Sequence, residues 1–66
     1  MGELHPAVAA TLRFFEFEHL PAHLQEISKP FHELAWAMAM RLEGPQLTNG
    51  LQRLLEAKDC MVRAAL

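Results

Sequence analysis

Sixty-six residues, 52% of them apolar and only 8% aromatic, set the scale at one small domain whose apolar mass is Ala, Leu and Met. A formal net charge of −2, with basic residues scattered rather than in a block, argues against DNA or general nucleic-acid binding, which draws on many phosphate contacts. The single cysteine, Cys60, excludes an internal disulfide and suits a reducing cytoplasm; no signal peptide or lipidation motif is expected, and the apolar run around Leu34–Met40 is too short to span a bilayer.

The chain reads as all-α. The first helix is expected over about 6–18. Pro6 suits a first helical position, and Val8, Leu12 and Phe15 form one stripe that Phe14 and Phe17 widen. Pro21 then disfavours helical geometry at Leu20.

The second helix is expected over about 21–43. Leu20, Leu24, Ile27, Phe31, Leu34, Met38 and Leu42 keep one helical phase straight through Pro30, which predicts one kinked helix rather than two. Gly44-Pro45 is the clearest break in the chain.

The third helix is expected over about 46–65, with Leu47, Leu51, Leu54, Lys58, Met61 and Ala65 on one face. Gly50 reads as a weak helical residue or as a mark of close approach by a neighbouring helix. The architecture that follows is a short N-terminal helix leading into an antiparallel two-helix hairpin, all one domain. Both long helices carry a second face: Lys29, His32, Trp36 and Met40 on one, and Arg53, Ala57, Cys60 and Ala64 on the other. So small a core with surplus apolar surface predicts an oligomeric helical assembly.

Lys58 stands out because it interrupts an apolar seam. It is either an anchor for a phosphate or carboxylate, or a lysine whose stem packs while its ammonium reaches a partner or water. Arg63, four residues after Asp59, reads as an exposed intrahelical pair or as an anion contact. Trp36 with His32 and Phe31 could stack on a planar base or simply pack. Four histidines raise a metal site, but no HExxH is present and Pro21 separates His19 from His23, so no metal and no cofactor are expected. No nucleophile-base arrangement can be assembled around Cys60, so no enzyme is expected.

The segments HLPAHLQEISKPFHELA and GPQLTNGLQRLLEAKDCMVRAAL resemble the helical-hairpin domain of small actinobacterial-virus proteins. Those proteins are sponges that counter the CBASS and Thoeris defence systems by sequestering cyclic nucleotide or cyclic ADP-ribose signals. The resemblance covers roughly Leu20 to Leu66 and is best at Leu54, Ala57 and Val62-Arg63-Ala64. It implies paired hairpins, often hexamers, with phosphates meeting Lys and Arg and bases stacking on aromatics. Arg63 is the first residue it carries over. The chain has no Tyr, so a stacking role would fall to Phe14, Phe15 or Phe17.

The expected ligand-binding set is Arg63, Lys58, Arg53, Lys29, His32 and Trp36. The expected function is non-enzymatic sequestration of a cyclic nucleotide-type signal by a homo-oligomer. The alternative is a structural or interaction protein whose hairpin oligomerises or binds a host helix with no small-molecule ligand.

Overall fold

The computed structural model describes residues 4–66, which form three α-helices and a short 3-10 turn, with no strand among them. The first helix, α1, covers Pro6–Leu12. Pro6 starts it, and the His5 ring caps it by accepting the Ala7 N–H at Nδ1 over 3.0 Å. The helix is shorter than the 6–18 expected. Thr11 Oγ1 donates to the Ala7 carbonyl at 3.0 Å, and the backbone then tightens into a 3-10 turn over Arg13–Phe15. That tightening aims Phe15 fully into the core and leaves Phe14 65% exposed. The chain runs extended at Glu16, and the Gln25 amide closes the following bend by donating to the carbonyls of Leu20 (2.8 Å) and Glu18 (3.3 Å).

The second helix, α2, covers Ala22–Ala39 and continues through Pro30. Pro30 has no N–H for the Glu26 carbonyl, but both residues are exposed, where water can take that bond. The helix ends at Ala39, capped by Met40, rather than near 43. Gly44 makes the turn at φ +101°, a conformation open to glycine, and Pro45 begins the third helix, α3, over Pro45–Ala64. A Cβ on Gly50 would meet nothing within 4 Å, so no neighbouring helix of the same chain presses on it.

α2 and α3 form the hairpin, and α1 with its 3-10 turn lies along one side, touching both. His32 Nδ1 donates to the Phe15 carbonyl (3.3 Å), and Gln52 Nε2 donates to Thr11 Oγ1 (3.4 Å), fixing that side on each long helix. The core is Val8, Leu12, Phe15, Ala35, Ala39, Leu47 and Leu51.

The buried face of α2 is therefore rotated from the Leu20–Leu42 row that the periodicity picks out. Leu24, Ser28, Ala35 and Ala39 are buried, while Leu34 is 47% and Leu42 55% exposed. The reason is steric. A helix that receives two neighbours along one edge must offer small side chains there, because helix axes pack only 8–10 Å apart. Periodicity counts apolar residues and is blind to size.

The small face gives two opposite expectations for urea unfolding. Ala35→Leu should overpack the junction and cost about 1–3 kcal/mol. Ser28→Ala should be neutral or stabilising by about 1 kcal/mol, because the buried Ser28 hydroxyl has no partner among the described residues.

Candidate functional site

The 3-10 turn also shapes a shallow recess lined in part by charged groups. With Phe15 turned inward, Phe14, Glu16, His19 and Leu20 are left facing the last turns of α3. Lys58, Asp59, Val62 and Arg63 complete a recess of about 340 Å³. Phe14 offers one exposed aromatic side chain at its edge.

Lys58 sits on the seam as its spacing demands, with a side chain only 12% exposed, and its partner is the adjacent carboxylate: Nζ lies 3.0 Å from Asp59 Oδ1. The stem packs and the ammonium is paired, which satisfies a lysine in that position without any ligand. This contact corrects the expected Asp59–Arg63 pair. Asp59 is engaged by Lys58, and Arg63, exposed in the last turn, forms no ion pair among the described residues. Its guanidinium keeps its donors available for a planar oxyanion.

The recess holds two cationic side chains, Lys58 and Arg63, and two carboxylates, Glu16 and Asp59. The local charge is nearly balanced, so this is not a simple anion trap. It can offer a phosphate the free fork of Arg63, hydroxyl or amino groups the acceptors of Glu16 and Asp59, and a planar ring the side chain of Phe14.

The other expected ligand residues lie elsewhere. His32 stands edge-on to Phe17, with ring centroids 5.1 Å apart, and tilted toward Trp36 at 6.3 Å. Its donation to the Phe15 carbonyl gives that ring a packing role between α2 and the 3-10 turn. Trp36 is partly open, at 38%, and Lys29 is exposed on the same helix. Arg53 is exposed and reaches Glu56 at 3.4 Å, a surface pair worth little and not part of the recess. The structure thus brings together Lys58 and Arg63, groups His32 with Trp36, and leaves Arg53 apart. Phe14, Glu16 and His19 complete the recess from a turn and loop, where no periodicity points inward.

A wider groove of about 1170 Å³ opens at the turn end of the hairpin, lined by Leu4, Val8, Met40, Leu42 and Leu47 among others. Among the described residues no group of three or more His, Cys, Asp or Glu side chains is placed to hold a metal, and no helix is long and apolar enough to cross a membrane.

Because Lys58 is paired on its own helix, Lys58→Met should leave unfolding stability unchanged or raise it by up to about 1 kcal/mol. A loss of several kcal/mol in chemical denaturation would show that the charge itself holds the fold.

Comparison with protein families, characterised proteins and solved structures returned no match to this chain.

Proposed function

We propose that this chain is a non-enzymatic binding protein that sequesters a nucleotide-type signal of the cyclic nucleotide or cyclic ADP-ribose class. The recess between Phe14–Leu20 and Lys58–Arg63 is the site. One observation carries this reading: an arginine with no ion pair among the described residues, an exposed phenylalanine and two carboxylates line one recess. Phosphate, base and sugar hydroxyls are the three parts of such a ligand, and each finds a chemically matched group. Sequestration needs only tight binding, so the lack of a nucleophile-base pair costs the reading nothing. The resemblance to viral sponge proteins supports the same class, with anti-defence action in the host cytoplasm as its setting.

Sponges of this kind work as homo-oligomers, up to hexamers in the resemblance. Here His32, Trp36 and Lys29 would serve a subunit contact or a second ligand contact rather than this recess.

A second reading has its own observation. Leu34, Leu42 and Met61 are each about half exposed on the hairpin, more apolar surface than a lone chain normally leaves wet. In that reading the protein is a structural or interaction module, and the recess is an ordinary surface dip.

A panel of cyclic nucleotides separates the two. At a hundred times its dissociation constant, a true ligand adds about 2.7 kcal/mol of apparent stability, which for so small a domain is a rise in Tm of about 10 °C or more. Arg63→Ala should then weaken binding about 10- to 100-fold, the worth of a charge-assisted hydrogen bond. Phe14→Ala should weaken it by about 1–3 kcal/mol through lost stacking. No shift with any member of the panel favours the interaction module.

A further inference from the structure

We infer that the recess accepts one negative charge and one base, so that its ligand is a cyclic mononucleotide, and that Glu16 is the residue that turns away nucleotides of higher charge. The inference rests on the nucleotide reading of that recess and narrows it.

Charge sets the limit. Two cations, Lys58 and Arg63, and two carboxylates, Glu16 and Asp59, line the recess. Lys58 is engaged by Asp59, with Nζ 3.0 Å from Oδ1. Arg63 is then the one lining cation without an ion pair among the described residues, and Glu16 is the one lining carboxylate without one. A cyclic phosphodiester carries a single negative charge, which the fork of Arg63 matches. A second negative charge in the same recess would meet Glu16 and no further free cation. Two more features act in the same direction. Arg63 lies in the last turn of α3, where the terminal carbonyls present partial negative charge, and the chain as a whole carries −2.

Glu16 discriminates because of what it accepts as well as what it repels. A ribose hydroxyl or a base amino group is a donor that its carboxylate can accept. A second phosphate oxyanion is a like charge in a partly enclosed space, an arrangement that costs binding.

Size agrees with charge. A volume of about 340 Å³ lies at the low end of the roughly 300–1,000 Å³ of small-molecule sites. Phe14, 65% exposed, supplies one large ring beside Glu16, which is stacking surface for one base. A cyclic dinucleotide brings two bases and two phosphodiesters, and cyclic ADP-ribose brings a doubly charged pyrophosphate. Each exceeds what this recess neutralises. A linear nucleoside monophosphate has the right size, but its phosphomonoester carries about −1.5 to −2 at neutral pH, so it exceeds the charge limit alone. Comparing it with its cyclic form isolates charge from size.

The test is calorimetric titration of the full chain near neutral pH with matched ligands. These are the cyclic mononucleotides of A, G, C and U, the linear monophosphate of each, cyclic di-AMP, cyclic di-GMP and cyclic ADP-ribose. The expected result is a cyclic mononucleotide bound at one per chain. Its dissociation constant should lie about tenfold or more below those of its linear monophosphate, both cyclic dinucleotides and cyclic ADP-ribose. Glu16→Gln, a change at an exposed position, should narrow the gap between the cyclic and linear forms about threefold or more. In the wild type the same gap should narrow between about 0.01 M and about 1 M salt, as the Debye length falls from ~30 Å to ~3 Å. The salt series needs no variant, so it decides the charge origin even if Glu16→Gln disturbs the turn. A cyclic dinucleotide, cyclic ADP-ribose or linear monophosphate that binds as tightly as the best cyclic mononucleotide overturns the inference and leaves the nucleotide reading standing. A gap unmoved by salt overturns the charge origin, and a gap unmoved in a folded Glu16→Gln protein overturns the role of Glu16. If nothing in the set binds, the nucleotide reading itself fails and this inference with it.

Discussion

The core junction at which Val8, Leu12 and Phe15 of the N-terminal segment join the Ala35 and Ala39 edge of α2 is the constraint from which the rest of the molecule follows. Ala35 and Ala39 are both buried and carry nothing larger than a methyl. Because that edge is small, the Val8, Leu12 and Phe15 row of the N-terminal segment can seat beside Leu47 and Leu51 and form one core from three short pieces. A chain of this size has little apolar burial to spend on alternatives, so the seat of α1 decides whether the hairpin has a core at all.

The same choice determines what is left outside. Giving the small edge of α2 to α1 turns Leu34 and Leu42 outward, and the larger apolar residues become surface. It also forces the 3-10 turn that buries Phe15, and that turn presents Phe14 and Glu16 to the end of α3. The recess and the exposed apolar residues are thus two consequences of one packing event. A ligand in the recess would brace the Phe14–Leu20 segment against α3 and so report on the seating of α1.

Much of the fold was legible in the residues. Gly44-Pro45 marks the hairpin turn because only glycine is at ease at the φ found there, and because proline can start a helix but not continue one. Lys58 was readable as a seam lysine in need of a partner. The partner itself was not, since Asp59 had two candidate cations, the adjacent Lys58 and Arg63 four residues on, and only side-chain geometry settles which one it holds. The phase of α2 was misread for a physical reason. Apolar periodicity favours the rows with the largest side chains, and here Leu34 and Leu42 of that row are exposed while Ala35 and Ala39 fill the core. The early end of α1 was equally hidden, because Thr11 bonding back to Ala7 and the tightening at Arg13–Phe15 leave no mark on a pattern that continues apolar through Phe17. The site suffered most from this: half of its recess comes from the segment whose helix ended early.

Native-state amide hydrogen exchange tests the seating of α1 most directly. If α1 shares one core with the hairpin, the Leu12 amide should exchange with the same opening free energy as the Leu51 amide in α3, within about 1 kcal/mol. A Leu12 amide exchanging orders of magnitude faster than Leu51, with α3 still protected, would mean that α1 frays freely from the hairpin and that the small edge of α2 does not organise this fold.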